Sequence, residues 1–261
     1  MFNLLALEKA LTGTIFAGNL HFTPVTGSTS SDALAAARAS APHGSVYFAD
    51  EQRAGRGRGD HVWHSAAAQG LYVSVLLRPS APAARLPLLP LGAGLAAADA
   101  IHEVTGLTVD LRWPNDLLLG DRKAGGILVE SKIEGHTAAF AIVGIGINVH
   151  QQDFDPGLAT PATSLDLETG RTISRGPLLV SLLKSLEREA LALAEPSASQ
   201  AILRRVEQSS TWLRGRRVQV HVPQACTGTT DGLDEYGFLR VRTDTGLITV
   251  QTGGIRAAKM D

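Results

Sequence analysis

A loop of unusual texture sets the first constraint on this chain. Gln52-Arg53-Ala54-Gly55-Arg56-Gly57-Arg58-Gly59-Asp60-His61-Val62-Trp63 interleaves glycine with arginine directly after residues 45–50, a run that reads as a strand. Glycines there allow φ > 0 and let backbone N–H groups converge on a ligand. The arginines between them carry planar, permanently charged forks that match carboxylate and phosphate. A simple turn needs neither so many glycines nor the charges. The loop fits neither the G-x-x-x-x-G-K-S/T phosphate loop nor the G-x-G-x-x-G fingerprint in a strand–helix setting. It is therefore neither a phosphate loop nor a dinucleotide fingerprint, and because strands and helices do not strictly alternate along the chain a doubly wound nucleotide fold is not expected. A site for several negative oxygens is: an acid, a nucleotide phosphate, or both.

Further along, Arg112-Trp113-Pro114-Asn115-Asp116 ends a strand, because proline cannot continue a hydrogen-bonded ladder, and leaves Asn115 and Asp116 at its tip. A plain Asx turn is the alternative. Across a hairpin follow Lys123-Ala124-Gly125-Gly126-Ile127, where the lysine can neutralise an oxyanion and the glycines admit a ligand closely. Asp116 is then available to a metal or to orient Lys123. A third segment, Val143-Gly144-Ile145-Gly146-Ile147-Asn148, has glycine at alternate strand positions, so the missing side chains lie on one face. Glycine weakens a strand, so something flat is expected there, a ligand or a closely packed helix. Asn148 offers an amide to adenine, ribose or phosphate. Ser28 and Thr29 precede a helix, where they cap it or offer hydroxyls to a polar ligand head. His61 and His64 sit in the first loop, but no His/Asp/Glu spacing suggests zinc.

The succession of elements predicts a mixed sheet with helices packed on it. Short helices are expected over 3–11 and, capped by Ser30, Ser31 or Asp32, up to Arg38; strands follow over 45–50 and 70–78. Pro87 and Pro90 open a long apolar helix that Thr105-Gly106 stops. Strands over 109–113, 117–119, 127–133 and 137–149 precede helices over 177–194 and 198–209. Beyond Arg214-Gly215 the texture changes to β-rich runs, 217–222, 237–242 and 247–251, separated by turns, which predict a small all-β barrel. Two domains are expected, 1–213 and 214–261. A net charge of −1 over 261 residues argues against a nucleic-acid-gripping or membrane-binding surface. The single cysteine, Cys226, has no basic neighbour and reads as an inert thiol. The N-terminus lacks signal-peptide features and the apolar runs are too short or too glycine-rich to span a bilayer, so a cytoplasmic protein is expected.

Taken together, these motifs resemble those of bacterial biotin protein ligases (biotin–[acetyl-CoA-carboxylase] ligases). The arginine-glycine loop, Trp113-Pro114-Asn115-Asp116, the Lys-x-x-Gly-Ile-Leu-x-Glu run from Lys123 to Glu130, and the Gly-x-Gly-x-Asn run from Gly144 to Asn148 stand in that family's order and spacing. The resemblance extends from about Ser28 to the C-terminus. It implies an α/β (α+β) catalytic domain like that of class II aminoacyl-tRNA synthetases, with a small SH3-like β-barrel behind it. It implies that biotin carboxylate attacks the α-phosphate of Mg·ATP to give biotinyl-5′-AMP, and that a lysine of the biotin carboxyl carrier protein then takes the biotinyl group. By the same resemblance, Ser28, Thr29, Gln52, Gly55, Arg56, Arg58, Lys123, Gly126, Gly144 and Gly146 would bind biotin. Arg58, Trp63, Asn115, Lys123 and Asn148 would serve the nucleotide, with Trp63 near the adenine. Lys123, Arg58 and Asp116 would be the catalytic set. Mg²⁺ would accompany ATP and no protein-held metal is implied. The expected partners are biotin, ATP and the carrier protein, with no specific DNA and no membrane, for a monomer or homodimer.

The chain departs from the family pattern at Ser30, where many relatives have Asn, and at Asp60-His61, where many have Gly-Arg. Too few residues precede Ser28 for the winged helix–turn–helix of repressor relatives, so a monofunctional enzyme is expected. A lipoate–protein ligase and a ligand-sensing DNA-binding repressor are the competing readings. The dense glycine-arginine loop favours biotin over lipoate, and the near-zero charge counts against DNA. Because residues 53–64 are poor in apolar anchors, they are expected to order around ligand.

Overall fold

The computed structural model describes residues 2–59, 61–221 and 225–258, with side chains at 196–198 left aside. Asp60 of the departing Asp60-His61 pair and Val222, the expected end of a strand, lie outside the described residues. The elements in order are α1 (Leu4–Ala10), β1 (Leu20–Thr26), α2 (Thr29–Arg38), β2 (Ser45–Gln52), β3 (Gly70–Leu77), a 3₁₀ turn (Ala83–Leu88), α3 (Leu89–Thr105), β4 (Asp110–Arg112), β5 (Asp116–Leu119), β6 (Arg122–Glu134), β7 (Thr137–Asn148), α4 (Leu165–Thr169), α5 (Arg175–Ala192), α6 (Pro196–Gln208), β8 (Arg214–Val220), β9 (Cys226–Leu233), β10 (Leu239–Thr243), β11 (Gly246–Val250) and β12 (Ile255–Ala257).

Seven strands form one sheet in the order β1-β2-β3-β7-β6-β5-β4. Only β1 and β2 run parallel; the other pairs are antiparallel. The sheet is thus mixed, as the element order predicts. β3 is buried along its whole length, which is why Gly70-Leu71-Tyr72-Val73-Ser74-Val75-Leu76-Leu77 reads as a near-continuous apolar run. Against one face lie α3 and α5, in contact with each other. Pro90 sits in the first turn of α3, and Gly106, at φ 80°, ends it in the left-handed conformation that glycine adopts freely. The stretch Ala83–Thr105 is long and apolar enough to cross a bilayer, yet most of its apolar part is buried inside this fold. On the opposite face α2 covers β2, β3 and β7.

Behind this lies a second, antiparallel sheet of five strands, in the order β11-β10-β9-β8-β12. Its first strand begins at Arg214. The two sheets are pinned together by buried Trp113, whose Nε1–H donates to the Gly237 carbonyl at 3.1 Å. Leu88 and Leu91 of the α3 region pack on that same Gly237.

Several elements escape the sequence. β1 contains Pro24 and leaves most of its side chains partly exposed, so it has no apolar run; proline is tolerated because this is an edge strand. β9, Cys-Thr-Gly-Thr-Thr-Asp-Gly-Leu, is largely polar and small, and β12 has only three residues. The short α4 rests on its Ser164 cap. The N-cap of α2 is Ser28 rather than Ser30, Ser31 or Asp32, so the helix starts earlier than its serine cluster suggests.

Candidate active site

Side chains missing from β6 and β7 make a shallow trough on the α2 side of the sheet. Gly126 pairs with Gly146, and Leu128 with Gly144, across the two strands. A Cβ on Gly144 would stand 2.7 Å from Ser30 Oγ, and one on Gly146 only 2.5 Å from the indole of Trp63. The face is therefore filled to contact by groups that only glycine tolerates. At one end lies a buried hydroxyl cluster. Ser74 Oγ is within 2.8 Å of Thr29 Oγ1 and 3.0 Å of Ser30 Oγ. Gln52 completes it: its Oε1 accepts from the Thr29 backbone N–H at 2.9 Å, and its Nε2 donates to Ser65 Oγ at 2.7 Å. Ser28 occupies the cap position of α2, but its side chain makes no capping bond, and its buried Oγ has no hydrogen-bond partner among the described residues. A buried hydroxyl without a partner is costly, and a polar ligand relieves it.

Lys123 reaches the other end of the trough through a bulge. Asp116 pairs with Gly126 and Leu117 with Gly125, but Leu118 pairs with Lys123, so Ala124 is an extra residue in β6. In an uninterrupted strand, positions 123 and 126 would point to opposite faces. The bulge puts the Lys123 ammonium 3.5 Å from where a Gly126 Cβ would be, on the trough side. Its backbone is clamped as well, donating to Pro161 and accepting from Thr163. Asp116 Oδ1 pairs with Lys123 Nζ at 2.5 Å, and Asp116 Oδ2 pairs with Arg112 at 2.6 Å. Burial pushes the Asp116 carboxyl up, but the Lys123 and Arg112 charges together outweigh it and hold it below the usual carboxylate range. Of the two roles open to Asp116, this geometry supports orienting Lys123.

The arginine-glycine loop folds over the trough as a narrow excursion. Trp63 N–H donates to Gly55 O at 2.9 Å and Gly57 N–H to His61 O at 2.7 Å. Of its three glycines only Gly59, at φ 62°, has positive φ. Gly55 and Gly57 serve instead for close approach: a Cβ on Gly55 would collide with the Trp63 carbonyl, and one on Gly57 would lie 2.9 Å from His61 O. Arg56 pairs with Glu130 on β6, which shares a strand face with Gly126. Arg58 donates to the Gly253 carbonyl of the small sheet's side. Burial lowers the Arg58 guanidinium from its ordinary range, with Asp116 acting in the opposite sense. Trp63 is an apolar anchor that the composition of the loop conceals. Its indole lies over Gly126 and Gly146, 5.6 Å from the Lys123 ammonium. The Trp63 indole N–H is buried without a partner among the described residues.

The two asparagines are spoken for in a different way. Asn115 Nδ2 donates to the Ile127 carbonyl at 2.8 Å, tying the strand tip to β6. Asn148 Nδ2 donates to Thr163 O at 3.0 Å, bracing the segment that clamps Lys123. His61 and His64 are exposed, and His61 Nδ1 lies 2.9 Å from Arg58 O. Arg112 and Glu130 stand in the sequence motifs without an evident partner, and Ser74 stands in none; the fold gives all three a place at the site. Ser74 sits inside an apolar strand with no motif around it. Among the described residues no group of three or more His, Cys, Asp or Glu side chains gathers in a metal-holding arrangement. A cavity of about 870 Å³ lies elsewhere, between α1 and α5. Arg175 in its lining pairs with Asp50, His150 lies 2.8 Å from Asp166, and Glu103 accepts from the Ser181 hydroxyl.

The chain is thus an α/β protein with a mixed sheet whose glycine trough, with a hydroxyl end and a lysine end, suits a small acid. Residues 22–148 match the biotin/lipoate A/B protein ligase family. Over 237 residues the chain is 32% identical to the biotin–[acetyl-CoA-carboxylase] ligase of Mycobacterium tuberculosis, covering 88% of this chain and 82% of that one. Over 172 residues it is 40% identical to the bifunctional ligase/repressor BirA of Bacillus subtilis, covering 65% of this chain. It spans about half, 53%, of that relative's length. Its structure is similar to that of the Aquifex aeolicus biotin protein ligase in complex with biotin and ATP, with a TM-score of 0.78 at 29% identity over 92% of this chain and 100% of that one. The chain belongs to the biotin/lipoate A/B protein ligase family.

Proposed function

We propose that this protein is a biotin–[acetyl-CoA-carboxylase] ligase. A carboxylate oxygen of biotin attacks the α-phosphorus of ATP, forming biotinyl-5′-AMP and expelling pyrophosphate. The amine of a lysine on the biotin carboxyl carrier protein then attacks the acyl carbon, AMP leaves with the bonding pair, and the amine proton is lost as the amide forms. The single observation that carries this reading is the trough itself: one glycine face with paired donors and acceptors at one end and an ammonium at the other. Ser28, Thr29 and Gln52 suit a cyclic urea, which presents a carbonyl beside N–H groups. Gly126, Gly144 and Gly146 leave room for a fused bicycle with a planar urea ring and for an extended chain. Lys123 faces the carboxylate and α-phosphate, where negative charge must be balanced as two anions meet.

Under this reading Gly55, Arg56 and Arg58 close over biotin, and Arg58, Trp63, Asn115 and Asn148 border the nucleotide. Closure keeps water from the mixed anhydride. Mg²⁺ would be held by the phosphates of ATP and would offset their charge there; Asp116, the acid beside Lys123, has both oxygens engaged by cations. The chain is read as a cytoplasmic protein with a catalytic unit over 1–213 and an SH3-like barrel over 214–261.

Isotope exchange between pyrophosphate and ATP tests the first step. Exchange should depend on biotin and Mg²⁺ and should not be supported by lipoate. Exchange with lipoate and none with biotin would overturn the assignment in favour of the other branch of the family.

A further inference from the structure

Arg112 ends β4 beneath the trough and is 7% exposed. Its guanidinium donates to Asp116 Oδ2 from Nε at 3.1 Å and from Nη2 at 2.6 Å, and from Nη2 to Thr160 Oγ1 at 2.9 Å. It lies over the Trp212 ring at 5.2 Å, and Arg216 approaches that ring at 3.7 Å. Asp116 is thus held between two cations, Arg112 on one oxygen and Lys123 on the other.

The arrangement has an electrostatic consequence. A lysine bonded to a carboxylate is a neutral pair seen from a ligand a few ångströms away, and its pull on an anion is largely spent. With the guanidinium on the far oxygen, the three groups together keep one positive charge. The outermost of them, the half-exposed Lys123 ammonium, faces the trough, whereas Arg112 is buried and its Nη2 is already shared between two acceptors. We propose that Arg112 is a positioning residue whose charge cancels that of Asp116, so that Lys123 presents an uncompensated positive charge to the reacting anions. This rests on the reading that Lys123 serves adenylate formation. Arginine suits the post because its fork takes the carboxylate and the Thr160 hydroxyl together and stays charged when buried.

The experiment is biotin-dependent pyrophosphate exchange with purified full-length protein, comparing wild type, Arg112→Gln, Arg112→Lys, Thr160→Val and the double variant Arg112→Gln/Asp116→Asn. Arg112→Gln should slow exchange at saturating substrates by about tenfold to a hundredfold, since a full charge is lost within several ångströms of the developing negative charge. Arg112→Lys should keep most of the rate. The double variant should recover most of what Arg112→Gln loses, because it removes the carboxylate that would otherwise neutralise Lys123. A merely structural fork would not be rescued, as the double variant breaks it from both sides. Thr160→Val removes a bond to the fork but no charge and should exchange near the wild-type rate. A double variant no faster than Arg112→Gln, or a Thr160→Val loss as large as that of Arg112→Gln, overturns the proposal.

A second measurement does not depend on turnover. Equilibrium binding of inorganic pyrophosphate, read by calorimetry, should be weaker in Arg112→Gln than in wild type and should return toward wild type in the double variant. If wild type shows no biotin-dependent exchange, the ligase reading fails, and anion binding still judges the charge arrangement. Unchanged pyrophosphate binding in Arg112→Gln overturns it.

Discussion

Lys123 owes its place to a lysine motif that is plain in the sequence and to a bulge that is not. The run from Lys123 to Glu130 marks the residue, but strand periodicity alone would turn its side chain into the core, away from Gly126. The extra residue, Ala124, carries no signature, and bulges of this kind are set by pairing with a neighbouring strand. Asp116 was readable as a partner for Lys123; its second cation, Arg112, was not, because nothing in the spacing says which residue of β4 turns toward the site. Lys123→Ala should slow adenylate formation by about a hundredfold or more, the scale of losing a charged or hydrogen-bonding stabiliser of a developing anion. Transfer from supplied biotinyl-AMP should fall much less. Equal losses in both half-reactions would reduce the lysine to a general binding group. Asp116 also makes a pH prediction. Its folded pKa lies below the usual aspartate range, so its ion pairs stabilise the fold fully above that range. That contribution is lost as pH falls through the lowered folded value. Chemical denaturation should find Asp116→Asn less stable than wild type near neutrality, with the gap shrinking in acid; a gap that is constant with pH would show that the pairs contribute nothing through titration.

At the scale of elements, the alternating glycines of β7 announce a flat occupant, and the structure supplies one from the chain itself. The indole of Trp63 rests where a Cβ on Gly146 would come within 2.5 Å. The loop that carries it looked poor in anchors because its composition is glycine and arginine; one tryptophan at its end, together with the Arg56–Glu130 and Arg58–Gly253 links, supplies them. A ligand lying on Gly146 has to move this ring. Binding of biotin should therefore change tryptophan emission in wild type and not in Trp63→Phe, since Trp113 and Trp212 are buried elsewhere. Identical emission changes in both proteins would mean that the ligand leaves the Gly146 face covered. The same logic explains what the glycines of the loop are for. Gly55 and Gly57 looked like sources of positive φ, yet they are needed for closeness to the Trp63 and His61 carbonyls. Sequence shows that a side chain is missing, and only the fold shows what fills its room.

For the whole molecule, the mixed sheet was legible from apolar strands such as β3 and β7 and from helices with clear proline and glycine ends. The small sheet was legible only in part, since β9 and β12 have almost no apolar pattern of their own. How the two sheets meet was not legible at all. The link from Trp113 to Gly237 joins them, and the Arg58 bond to Gly253 ties the loop over the trough to the smaller one. If Arg58 is part of what holds the loop down on the adenylate, Arg58→Gly should still form biotinyl-AMP but release it faster, and stopped-flow release at the wild-type rate would show that it is no latch. The central claim concerns the molecule's product. Incubated with biotin, ATP, Mg²⁺ and a biotin carboxyl carrier domain, the protein should add one biotinyl group to the carrier, read by intact mass and located on a single lysine. A carrier of unchanged mass, under conditions where an established ligase modifies it fully, would contradict the account.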